Sequence, residues 1–277
     1  MQTNFFRGLY GWLQDLLSSE QIPFEYPCDD GDGIEATGNV SQADVEEAQQ
    51  MCKSLASKYP NAQAYRGFLP KQGDGQIRDE ILGALNEALS DLKEQVGTEE
   101  KPRLYITGHS LGAALAKSTL VQLLLRGYDL NFSEVKAYTF APPAVGDEEY
   151  IKMIDELLET KESDLFMVIN HYDYIPYLPP FVNFTHGLQT LFLDHDQALL
   201  KAVDLKTLPF ENQPRNVFLP PLGYHSIKGQ YLPLARAVVG NSYTEEMASS
   251  VDSRCELDCD VGQCGLFKCP DLCKGKL

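Results

Sequence analysis

The segment Tyr105-Ile106-Thr107-Gly108-His109-Ser110-Leu111-Gly112-Ala113-Ala114-Leu115-Ala116 carries the strongest chemical signal in the chain. A Gly-x-Ser-x-Gly run after an apolar strand and before a helix of small residues is a nucleophile elbow. The turn lifts Ser110 above the strand's C-terminal end and sets it at a helix N-terminus. Backbone N–H groups and the helix dipole favour negative charge there. The N–H of Leu111 is then aimed where an oxyanion would develop. Gly108 and Gly112 are expected because side chains there would collide with the neighbouring strand and helix. Such a serine serves acyl transfer through a covalent intermediate, and it needs a base and an acid that orients the base.

The chain order for this arrangement is nucleophile, acid, base. Asp173 follows an apolar strand read over Leu165 to Asn170, so it should lie on the same rim of a parallel sheet as the elbow. Five histidines compete for the base: His109, His171, His186, His195 and His225. His109 lies inside the elbow and is expected to point away, and His171 precedes the acid. His225, in Leu222-Gly223-Tyr224-His225-Ser226, sits in a loop entering a helix and is preferred over His195 and His186.

These residues need a frame. Ser41 with Asp44 forms a capping-box pattern, and the helix after it places Val45, Ala48, Cys52, Leu55 and Tyr59 on one face. A second helix shows Ile77, Ile81, Leu85, Ala88, Leu92 and Val96 at intervals of three and four. The pattern then alternates: strand Leu104 to Thr107, helix Leu111 to Leu125 closed by Gly127, strand Val135 to Phe140, helix Asp147 to Leu158, strand Leu165 to Asn170. Strands alternating with helices predict an α/β fold, a mostly parallel central sheet covered by helices on both faces. Tyr172 to Pro221 reads as loops rich in proline. A last helical segment starts near Ser226 and is interrupted by Pro233. Residues 1–240 read as one domain, and residues 241–277 as a cysteine-rich appendage.

The chain has 277 residues and a formal net charge of −17, without a notable Lys/Arg cluster. A field of that sign repels phosphate, so nucleic acid and anionic membrane surfaces are poor partners, while neutral or zwitterionic substrates fit. No run reaches the roughly 18 apolar residues of a membrane span. The N-terminus as written shows no secretory-signal pattern. Five of the seven cysteines, Cys255, Cys259, Cys264, Cys269 and Cys273, crowd the tail, while Cys28 and Cys52 lie upstream. That density reads as disulfide stapling and an extracellular, oxidising compartment. No tail pair has Cys-x-x-Cys spacing and no tail His exists, so a metal site is not expected. Three glycosylation sequons, at Asn39, Asn131 and Asn183, agree with secretion.

Together these motifs resemble the fungal-type (class 3) triacylglycerol lipase family, over roughly Phe6 to Leu232. Gly108 to Ala116 is similar to that family's elbow, with Ala113 where Gly is more usual. Phe140-Ala141-Pro142-Pro143-Ala144-Val145-Gly146 resembles its Phe-Gly-x-Pro-Arg-Val-Gly turn, and Asn170 to Pro179 its acid loop. Tyr65-Arg66-Gly67-Phe68 falls where the family has His-x-Gly-Phe, and Tyr224 to Ile227 resembles its histidine loop. The resemblance implies an α/β-hydrolase fold and hydrolysis of lipid esters by Ser110, Asp173 and His225, with no cofactor. The alternatives are an esterase for short or aromatic acyl groups, a phospholipase, or a weakly active member whose tail serves binding.

Two departures stand out. Phe6-Arg7-Gly8-Leu9 precedes Trp12-Leu13-Gln14-Asp15, so Leu9 replaces the family's hydroxyl residue at the oxyanion strand and offers only its backbone N–H. The motif also begins six residues in, so either the start is truncated or this member lacks that edge of the sheet. Thr3 to Arg7 is expected to pair beside the elbow strand. The stretches Ile22 to Tyr26 and Tyr174 to Phe184 are candidates for an acyl groove or lid at a lipid–water interface.

Overall fold

The computed structural model describes residues 21–28, 40–65, 68, 76–96, 101–170, 173, 175–178, 184–185, 190–194, 199–203 and 222–232. In chain order its elements are β1 (Gln21–Pro23), α1 (Gln42–Lys58), β2 (Gln63–Tyr65), α2 (Gln76–Val96), β3 (Arg103–His109), α3 (Leu111–Leu125) and β4 (Glu134–Phe140). They continue with β5 (Gly146–Asp147), α4 (Glu148–Thr160), β6 (Asp164–Asn170), β7 (Phe184–Thr185), β8 (Thr190–Asp194) and β9 (Leu199–Val203). The main sheet runs β3-β4-β6-β8-β9, and a smaller one runs β1-β2-β5-β7. Strands β3, β4, β6 and β8 are parallel, and β9 returns antiparallel to β8. This is the expected α/β architecture, and the ends of β3, β4 and β6 lie side by side.

The elements form where local chemistry directs them. Ser41 caps α1 with Asp44 in the reciprocal box, and Val45, Ala48, Cys52 and Leu55 turn inward. Helix α3 follows the elbow and is apolar nearly all round, with ten of its residues from Ala113 to Leu125 buried. A helix of that kind belongs in a core, and it packs against β3, β4, α1 and α4. Gly127 ends it in the left-handed region at φ 78°, a conformation glycine adopts without a Cβ penalty. Asp147 caps α4 through the Tyr150 N–H, and Tyr150, Ile151, Met153, Ile154, Leu157 and Leu158 fill the core from that helix.

Several expectations change. In α2 the inward residues are Leu85, half-buried, and Leu89, buried, whereas Ile81 and Leu92 are 38% and 42% exposed. A 3.6-residue period lets two adjacent stripes of one helix look apolar, and packing chooses between them. The stretch from Tyr172 to Pro221 is not only loop, since β7, β8 and β9 lie within it. β8 extends the sheet beyond the strand that leads to Asp173.

Within the Ile22 to Tyr26 stretch Phe24 is buried in the core and Ile22 and Tyr26 pack against it, while Pro23 and Glu25 are exposed. Ile22 pairs with Ala64 in β2, Phe24 packs on Tyr26 and Tyr150 at 4.9 Å between ring centres, and the Tyr26 hydroxyl donates to the Tyr59 carbonyl. Of the second lid candidate, Ile175 and Leu178 are likewise buried in the main core. Cys28 and Cys52, unassigned from sequence, form a disulfide that ties the β1 segment to α1. The boundary near residue 240, the tail 241–277 and the segment Thr3 to Arg7 lie outside the described residues.

Candidate active site

The elbow forms as its sequence dictates. Ser110 has φ 58° and ψ −127°, a backbone state that costs of order 1–3 kcal/mol for a residue with a Cβ. Three backbone bonds hold it there. The Ser110 N–H donates to the Phe140 carbonyl at the end of β4, and the Ser110 carbonyl accepts from the N–H groups of Ala113 and Ala114. Gly108 is obligatory, because a Cβ there would lie 2.2 Å from the Gly112 carbonyl oxygen. The same expectation for Gly112 is corrected: a Cβ there meets nothing within 4 Å among the described residues. The steric demand falls on the residue facing the returning helix, not on both glycines.

Asp173 lies just beyond β6 and is 1% exposed. The Ile175 N–H donates to Oδ1 at 3.0 Å. Oδ2 lies 2.8 Å from His225 Nδ1, and His225 Nε2 lies 2.6 Å from Ser110 Oγ. With Nδ1 protonated toward the carboxylate, Nε2 is free to accept the serine proton. Three residues far apart in the chain, Ser110, Asp173 and His225, thus form one hydrogen-bonded row at the ends of β3 and β6. This row can deprotonate a hydroxyl as it attacks an acyl carbon.

Two side chains complete the row. The Tyr231 hydroxyl donates to Asp173 Oδ2 at 2.7 Å and accepts the Asn170 N–H at 3.0 Å. Burial, and next the Asp173 charge, hold that phenol well above its ordinary pKa, so it stays a donor. Sequence reasoning missed Tyr231; its only signal was an aromatic residue with a polar tip just after the base loop. His109 is not turned away from the site. Its ring lies 4.6 Å from the His225 ring, and its Nε2 donates to the His225 carbonyl at 2.7 Å. Burial, and next electrostatic repulsion between two neighbouring imidazoles that cannot readily both carry a proton, push the His109 pKa below its ordinary value.

Of the expected oxyanion donors, the Leu111 N–H has no acceptor among the described residues. Leu9 lies outside the described residues, as do His171, His186 and His195. Among the described residues no group of three or more His, Cys, Asp or Glu side chains could hold a metal ion, and no helix is long and apolar enough to cross a membrane.

The parallel sheet, the strained serine between β3 and α3, and the acid after β6 define an α/β-hydrolase with a serine-hydrolase arrangement. Residues 36–183 match the family described as Lipase (class 3), more than half of the chain, and the protein belongs to that family. Similar proteins include phospholipase A1-II 3 of Oryza sativa subsp. japonica, 28% identical over 156 residues (54% of this chain and 32% of that one). The secreted mono- and diacylglycerol lipase MDL3 of Malassezia globosa is 34% identical over 82 residues, 30% of this chain and 25% of that one. These matches span a third or less of the relatives' own length. Among solved structures, the triacylglyceride lipase of Rhizomucor miehei aligns with 78% of this chain and 65% of its own, at 20% identity and a TM-score of 0.48.

Proposed function

We propose that this protein is a serine hydrolase of lipid carboxylic esters, with Ser110 as nucleophile, His225 as base and Asp173 as the acid that orients it. The observation that carries the reading is the unbroken row Asp173 Oδ2, His225 Nδ1, His225 Nε2, Ser110 Oγ, with links of 2.8 and 2.6 Å. His225 takes the Ser110 proton as the hydroxyl attacks the ester carbonyl, and Asp173 stabilises the imidazolium so formed. The proton passes to the departing alcohol. Water, deprotonated by the same imidazole, then releases the acid and restores Ser110. The Leu111 N–H, at the start of α3, is the first oxyanion donor and the Leu9 N–H the second. Neither step calls for a metal or cofactor.

Lipid esters are the favoured substrates because the family, a phospholipase A1 relative and a mono- and diacylglycerol lipase relative share acyl-glycerol chemistry. The net charge of −17 favours neutral or zwitterionic lipids over anionic ones. Secretion is supported by the Cys28–Cys52 disulfide, since such bonds persist in oxidising compartments, and by the secreted relative. The test is hydrolysis of a chromogenic ester series of rising acyl length, with a serine-directed phosphonate and a Ser110→Ala variant. Wild type should turn over and become labelled at Ser110, and the folded variant should lose nearly all activity. Turnover by folded Ser110→Ala at the wild-type rate would overturn the assignment.

A further inference from the structure

His225 is the last residue of a single 3-10 turn, Leu222–His225, and one residue later a single π-helical turn runs over Ile227–Tyr231. An imidazole on such a segment has many ways to miss Ser110. Two consecutive main-chain carbonyls of this segment are each held by a side chain from the sheet. Asn170 Nδ2 donates to the Tyr224 carbonyl at 3.1 Å, and His109 Nε2 donates to the His225 carbonyl at 2.7 Å. The two carbonyls lie on either side of the His225 Cα, the atom that carries the base. Asn170 is the last residue of β6, three residues before Asp173, and His109 is the last residue of β3, next to Ser110.

We infer that His109 and Asn170 are positioning residues that clamp the base loop onto the two strand ends presenting the nucleophile and the acid. All three members of the row are then referred to one rigid frame, the paired sheet. Each grip is also a check on register, because a slip of the loop by one residue would offer the donors the wrong carbonyls. The His109 ring adds a flat face against His225, tilted 33° at 4.6 Å, and it meets the Tyr231 ring edge-on at 5.9 Å. Asn170 is fully buried and His109 half-buried, so water competes poorly for either bond. This inference rests on the hydrolase reading for its effect on turnover, but not for its effect on the loop.

The test uses His109→Leu, which removes the donor and keeps bulk, and His109→Gln, whose amide N–H reaches about as far as Nε2. A loop displaced by about 1 Å can cost on the order of 100-fold in rate. On a soluble short-chain ester the Leu variant should therefore lose about 10- to 100-fold in kcat, with KM within about twofold. Phosphonate labelling of Ser110 should slow by a similar factor, and the Gln variant should recover most of both losses. Amide hydrogen exchange across 222–231 should speed up about tenfold in the Leu variant and return toward wild type in the Gln variant.

A folded His109→Leu protein with wild-type turnover and exchange would overturn the clamp. So would a folded His109→Gln protein as impaired as the Leu variant, which would also decide the matter if the Leu variant fails to fold. If wild type itself neither hydrolyses esters nor is labelled, the hydrolase reading falls. The exchange experiment then still judges the clamp, and unchanged exchange refutes it.

Discussion

Lys117 sits on α3, two turns beyond the elbow, and is 1% exposed. Its Nζ has no hydrogen-bond partner among the described residues. Burial pushes the ammonium down from 10.5 to about 8, against a weaker upward pull from Asp155. At 1.36 kcal/mol per pH unit, that gap corresponds to roughly 3 kcal/mol of destabilisation while the group is charged. The cost is fully present below about pH 8, where both folded and unfolded chains hold the proton. Between about 8 and 10.5 the folded protein sheds it first, the unfolded chain binds more protons, and stability rises with pH.

Lys117→Met keeps the apolar stem and removes the charge. It should stabilise the protein by about 3 kcal/mol at pH 7, or roughly 6–12 °C in Tm for a chain of this size. The advantage should shrink toward zero near pH 10.5, the unfolded value. The assay is thermal and urea unfolding of both proteins at pH 7 and pH 10, with ester hydrolysis at pH 7 as a check that the site is intact. A Lys117→Met protein no more stable at pH 7, or one whose gain persists unchanged at pH 10, would refute the reasoning and give the ammonium a partner in the native state.

Tyr231→Phe should keep the packing against Phe140 but remove the hydroxyl that donates to Asp173 Oδ2 and accepts from the Asn170 N–H. We expect a loss of about 1–3 kcal/mol in urea unfolding and a clear fall in kcat; unchanged values of both would remove Tyr231 from the site. Gly108→Ala should fail to give soluble, cooperatively folding protein, because its Cβ would lie 2.2 Å from backbone, whereas Gly112→Ala should fold with near-native circular dichroism. Equal behaviour of the two would contradict the steric account of the elbow.

Elements whose signals are local could be read from the sequence. The elbow, the capping box at Ser41, the helix from Leu111 to Leu125 with its terminal Gly127, and the strands at 104–107, 135–140 and 165–170 each depend on neighbours within a few residues. Periodicity and cap chemistry therefore carried them, with strand ends short by one or two residues. Which stripe of α2 turns inward was not local. Leu89 is buried and Ile81 exposed because of what packs against the helix, a fact absent from its own period. Strands β8 and β9 were hidden for a related reason, since short apolar runs become strands by finding partners, here β6 and each other.

The site divides along the same line. The types and order of Ser110, Asp173 and His225 were legible, because a nucleophile needs a base and the base needs an acid. Only the tertiary structure decided that the Tyr231 hydroxyl completes the Asp173 carboxylate, and that the His109 ring lies beside His225 rather than away from it. These contacts join residues 58 and 116 positions apart. Hydrogen bonds are set by distance in space, and a sequence states only which groups can donate and accept.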